Sequence, residues 1–253
     1  YFAGRYFVGP NLWGNGYGVT FLTAFVLTSM GLLAIRILLR EPELPTLRPR
    51  MRTMERLREF PSLLRAERGF REFMIARTFA ISGRMASPFY IVFAAHTISL
   101  SGQTIGALSF AYLIADTVTN LGWGHLADKT GFRSSFVGAL IIWIAATALL
   151  MSVHTLPLFF IAFFGLGAAN SGYTMSAQNI VFEFGHRDEM AMRLALSNTA
   201  ESAMAALGPL VGGLIAAAAG YYAVFGVSML FLAIGLTLML TRVEEPRKRR
   251  AAG

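Results

Sequence analysis

Four ionisable residues lie inside stretches that are otherwise apolar: Arg77, Arg84, Asp116 and Glu201. A charge near the centre of a bilayer costs about 2.5–3.5 kcal/mol even on the lenient insertion scale. Four such groups facing lipid would cost on the order of 10 kcal/mol, comparable to the stability of a whole fold. They must therefore face a bundle interior or water. Counting about 1.5 Å per helical residue puts Arg77, Asp116 and Glu201 at one depth, each about 10 Å from the same membrane face. Arg84 lies deeper, near the midplane, with no acid at its depth. Two chemistries are open to the first three. Arg77 can pair with Asp116 or Glu201 as a fixed brace, or one acid can be a proton-coupling site that changes partner between conformations. The Arg84 guanidinium offers a planar fork of donors suited to a carboxylate or phosphate. The competing reading is a structural arginine satisfied by helix-end carbonyls or by Asp116. Pro88, one turn on, removes a backbone hydrogen bond and bends the helix beside it.

A polar helix face accompanies these charges. Asn170, Thr174 and Gln178 recur every fourth residue, with Tyr173 beside them. Such a face either hydrogen-bonds between helices, worth about 0.6 kcal/mol on average, or walls a cavity. With Arg84 these four make up the candidate substrate-binding set, for an anionic or zwitterionic solute. Covalent chemistry has no support: there is no nucleophile triad, phosphate-binding loop or paired-carboxylate pattern. His96, His125, His154 and His186 are scattered near loops, and cysteine is absent. No metal, cofactor or enzymatic activity is expected.

Membrane helices must position these groups. The chain is 55% hydrophobic and 14% charged, whereas soluble domains carry about a quarter charged residues. A hydrocarbon core takes roughly 20 apolar residues per helix. Runs of that kind fall at about 18–39, 73–98, 103–123, 134–152, 156–182, 191–218 and 221–240. The expectation is an all-α polytopic membrane protein with seven transmembrane helices. The alternating segments of a β-barrel are absent from the sequence. Gly208, Pro209, Gly212 and Gly213 form a string whose GxxxG face allows close helix packing.

The basic residues explain the net charge of +8. Residues 40–71 hold nine arginines and read as a solvated basic linker. Met51, Met54, Leu57 and Phe60 also give part of it helical amphipathic spacing, suited to a membrane surface. The loops on the same side carry Lys129 and Arg133, Arg187 and Arg193, and a tail with Arg242 and Arg247 to Arg250. The loops near 99–102, 153–155 and 219–220 carry no lysine or arginine. The positive-inside rule then places the N-terminus outside and the C-terminus in the cytoplasm. Charge is thus topology, and nucleic acid is not an expected partner.

One short stretch, Gly124-His-Leu-Ala-Asp-Lys-Thr-Gly-Phe-Arg133, interrupts two apolar runs. It reads as a tight turn between helices. Gly124 allows close approach, Asp128 suits the free N–H groups of a helix start, and Gly131 suits a left-handed closing residue. Lys129 and Arg133 stay at the surface. The string resembles the G-x-L-a-D-r-x-G-r/k signature of the major facilitator superfamily.

The resemblance implies two six-helix halves joined by a long cytoplasmic loop. Seven helices that begin outside fit the last seven of twelve, with the first part of the transporter lying upstream. Residues 1–39 would be an external loop and helix six, 40–71 the central loop, 72–242 the six-helix C-terminal bundle, and 243–253 a basic tail. Gly124, Asp128, Lys129, Gly131 and Arg133 would form a gate. Gly208–Gly213 also resembles the antiporter string of the first half, which would read the last six helices as that half instead. The implied function is secondary active transport of a small solute by alternating access, with proton coupling, in the plasma or inner membrane. The alternative is a non-transporting membrane scaffold or assembly factor with the same fold.

Overall fold

The computed structural model describes residues 16–38, 64–65, 67–98, 101–184 and 190–245. Most of the basic linker, the start of the chain and its last residues lie outside the described set. The described residues are helical, without strands. The order is α1 (Gly16–Leu38), α2 (Arg68–Ser82), a 3₁₀ turn (Gly83–Ala86), α3 (Phe89–Thr97), α4 (Gly102–Thr130), α5 (Phe132–Ser152), α6 (Leu156–Glu183) and α7 (Met190–Thr241).

Four of these, α1, α5, α6 and α7, are long and apolar enough to cross a membrane. Large apolar side chains point outward along the bundle, among them Leu121, Leu210 and Leu214. In water such a surface would associate; in a bilayer it meets its own solvent. No residue in the apolar span of α1 is buried.

The expected runs and the observed helices differ where the backbone is broken. The run from 73 to 98 begins earlier, at Arg68, because Phe70 and Phe73 are buried against Phe184 and draw the first turn into the core. It then breaks at the 3₁₀ turn. Pro88 lacks an N–H and disfavours helix at the residue before it, so the break falls just upstream. The runs at 191–218 and 221–240 join as α7, about 78 Å if it were straight. Gly220, at φ +81° and ψ 174°, divides it. Only a residue without a Cβ takes that conformation at little cost.

Packing relies on small residues against backbone. A Cβ on Gly167 of α6 would collide with the Tyr112 carbonyl of α4. One on Gly172 would meet the Trp123 ring at 2.6 Å. The Trp123 indole N–H donates to the Ala168 carbonyl at 2.8 Å, which fixes the ring between the two helices. Aromatic rings meet in the buried core, where Tyr173 is in ring contact with both Phe136 and Trp143.

Candidate substrate and ion-pair site

Arg77 lies on the buried face of α2, with Phe73 one turn before it and Ala80 and Ile81 after. Seven residues further, Arg84 leaves the 3₁₀ turn. That turn is held from several sides. The Ser87 N–H donates to the Arg84 carbonyl at 2.9 Å. The Ser228 hydroxyl of α7 donates to the Gly83 carbonyl at 2.5 Å. Gly208 and Gly212 of α7 lie against Met85, where a Cβ on Gly212 would come within 2.9 Å of its carbonyl oxygen. Gly213 is in ordinary contact range of Phe89, and Pro209 is exposed inside the helix. The glycine string therefore seats the residues that carry Arg84.

Glu201 of α7 receives both arginines. Arg77 Nη2 donates to Glu201 Oε2, and Arg84 Nη1 donates to Oε1 at 3.2 Å. Arg77 is nearly enclosed, with 3% of its side chain exposed, whereas Arg84 keeps 34% and Glu201 24%. Two guanidiniums share one carboxylate, so the cluster carries a net charge of +1. Arg77 Nε and Nη1 have no hydrogen-bond partner among the described residues. The Arg84 guanidinium carbon lies 5.8 Å from the centre of the Tyr173 ring and 6.0 Å from that of Trp143, within cation–π range.

This corrects the depth argument, which left Arg84 without an acid. A straight-helix count assigns depths to Cα atoms, but an arginine reaches about one helical turn along its own stem. The two arginines converge from different heights on one carboxylate. Asp116 is not in this cluster: it accepts from Asn170 Nδ2 at 2.9 Å, joining α4 to α6. Of the polar face on α6, Tyr173 is fully buried beside Arg84, Thr174 is half-buried and Gln178 is exposed. Asn170 is half-buried like Thr174, and its side chain is engaged by Asp116.

A cavity of about 140 Å³ is lined by Tyr90, Ile91, Tyr112, Trp143, Phe163 and Leu166, and so shares the Trp143 ring with Arg84. Ser87, in the same turn as Arg84, stands at its edge. Trp143 N–H donates to the Tyr90 hydroxyl at 3.2 Å, and that hydroxyl shares a 3.1 Å hydrogen bond with Thr147. The polar ends of two wall residues thereby engage each other, and both residues line the space. None of these aromatics was singled out from sequence, because an aromatic in an apolar run reads as core. The Glu67–Arg193 ion pair, which ties the start of α2 to α7, was likewise missed.

The signature stretch also differs from a ten-residue turn. Helix α4 continues to Thr130, and only Gly131 separates it from α5. Asp128 is exposed in the last turn of α4, not at a helix start, so it does not cap α5. Among the described residues, nothing lies within 4 Å of a Cβ position at Gly124. Gly131 adopts φ +91° with ψ 158°, a positive φ but an extended ψ, and its N–H donates to Ala127 at 2.8 Å. Lys129 is exposed. Arg133 is more than a surface cation: it donates from Nε to the Met239 carbonyl at 3.2 Å and from Nη2 to that of Leu240 at 3.0 Å. These satisfy carbonyls left open at the end of α7.

Apolar spans, broken helices and charges gathered inside the bundle define an integral, multi-pass helical membrane protein. The family model of the Major Facilitator Superfamily matches residues 73–253, well over half the chain, and the chain belongs to that superfamily of transporters. No curated protein matches it.

Proposed function

We propose that the protein is a secondary transporter that moves a small anionic or zwitterionic solute by alternating access, with Arg84 as the anion-binding group and Tyr173 beside it. The observation that carries this reading is the shared carboxylate. Glu201 balances one of two guanidiniums, and the more exposed one, Arg84, retains donors for a second anion. Glu201 is also the proton-coupling acid of this reading: protonating it would release both arginines to the substrate. Asp116, held by Asn170, has a bracing role instead. In the same reading Gly124–Arg133 works as a gate, with Asp128 and Lys129 presented at the end of α4. The basic side of the loops faces the cytoplasm, and the membrane is the plasma or inner membrane.

The test is uptake by the protein reconstituted in liposomes, across a set of small carboxylates and zwitterions. Arg84→Lys keeps the charge but loses the fork and should transport poorly; Arg84→Gln should scarcely transport. Glu201→Gln should remove the dependence of uptake on a proton gradient. Equal uptake by all three and by the parent protein would reject the reading. A non-transporting scaffold is the second reading, favoured by the engagement of Glu201 with both arginines. Uptake of no tested solute, with Arg84 variants differing only in stability, would decide for it.

A further inference from the structure

Arg84 and the aromatic cavity share a wall. Trp143 lines the cavity and also lies under the Arg84 guanidinium, while Ser87 at the cavity edge is three residues from Arg84 in the same turn. An anion on Arg84 would therefore lie near a partly open space, lined by aromatic and aliphatic side chains, that shares the Trp143 ring with it. The volume is selective. At about 140 Å³ it matches the apolar cavities of about 150 Å³ that accept a benzene molecule. A ligand with no apolar part would leave it unfilled.

Resting on the anion-binding reading above, we propose that the substrate class is a small monocarboxylate bearing one ring or a compact branched chain. Its carboxylate pairs with Arg84 and its apolar part occupies the space between Tyr90, Tyr112, Trp143 and Phe163. The net charge of +1 at the ion cluster matches a single carboxylate and disfavours a cation. Tyr112 and Trp143 offer faces for edge or offset ring contact, which adds to the gain from removing the ring from water. Discrimination comes from the cavity and attraction from Arg84, so the two separate by mutation.

The probes are radiolabelled benzoate, acetate and benzyl alcohol, each measured by equilibrium dialysis against the full chain in lipid nanodiscs. Empty nanodiscs give the lipid background. The parent protein should hold benzoate about tenfold or more tighter than acetate, as burying a ring implies, and should hold benzyl alcohol no better than acetate. Ile91→Phe fills the cavity from within. Ser87→Leu narrows its edge from an exposed position and keeps the test open if the first variant folds poorly. Each should weaken benzoate about tenfold and leave acetate unchanged, and Arg84→Gln should weaken both acids. Benzoate no tighter than acetate, or unchanged by both filling variants, overturns the ring-bearing class; if both acids still depend on Arg84, anion recognition stands. Benzoate indifferent to Arg84→Gln, benzyl alcohol as tight as benzoate, or no binding of either acid overturns the class and the anion-binding reading together.

Discussion

Arg84 shares the carboxylate of Glu201 with Arg77, although the two arginines leave the chain seven positions apart, one from α2 and the other from the 3₁₀ turn that follows it. The arrangement is unequal. Arg77 is sealed in the core, and Arg84 is a third exposed.

That inequality predicts a ranking of stabilities. Glu201→Gln strands the enclosed Arg77 and should destabilise by about 3 kcal/mol, the lower end for breaking a buried pair, since Glu201 is itself a quarter exposed. Arg84→Gln leaves Arg77 and Glu201 paired and should cost no more than about 1 kcal/mol. Thermal unfolding in one detergent compares them. A larger loss for the Arg84 variant would contradict the pairing described.

Gly167 and Gly226 give opposite expectations for one substitution. At Gly167 a methyl group meets the Tyr112 backbone, which cannot move aside, so Gly167→Ala should cost about 1–3 kcal/mol. At Gly226 nothing lies within 4 Å of a Cβ position, and alanine should stabilise the helix by about 0.5–1 kcal/mol. Unfolding midpoints that move the same way in both variants would count against the α4–α6 interface.

Arg133 links the start of α5 to the last turn of α7 through two carbonyls. Arg133→Ala should cost about 1.5–3 kcal/mol locally, the range for hydrogen bonds to a charged donor. Hydrogen exchange should show faster opening at residues 238–242 with little change in the middle of α6. Uniform acceleration across both segments would mean that the contact is not local.

Helix α4 is about 43 Å long at 29 residues, long enough to separate its ends across a bilayer. Ser101 precedes it and Lys129 lies in its final turn, both exposed. The chain has no cysteine of its own, so Ser101→Cys and Lys129→Cys can be labelled with an impermeant thiol reagent. In oriented membranes only the Ser101→Cys variant should label from outside. Labelling of both from one side would reject the proposed topology.

Helix content and class were legible because composition and run length are properties of the chain alone. The position of the break near Arg84 was half legible. Pro88 announced it, but the 3₁₀ turn needed Ser228, Gly208 and Gly212 from a helix more than a hundred residues away. The motif from Gly124 to Arg133 was read as a turn because glycine and aspartate favour turns. Leu126, Ala127 and Lys129 are good helix formers, and the helix runs through them until a single glycine. Pairings among Arg77, Arg84 and Glu201 could be narrowed but not assigned, since depth along a helix says nothing of the angle around it. The aromatic cavity had no sequence signal at all. It exists because α3, α4, α5 and α6 leave unfilled space between residues that each look like ordinary core.

The breaks at Gly83–Ala86 and Gly220 fall in the two segments that supply the three charges, whereas α4, α5 and α6 run unbroken. The first break nevertheless lies within close-packed surroundings: a Cβ on Gly83 would meet Leu232, and one on Gly235 the Ala76 carbonyl. The 3₁₀ turn therefore redirects the chain without loosening it, and the close α2–α7 contact is what brings Arg84 and Glu201, more than a hundred residues apart, to one place.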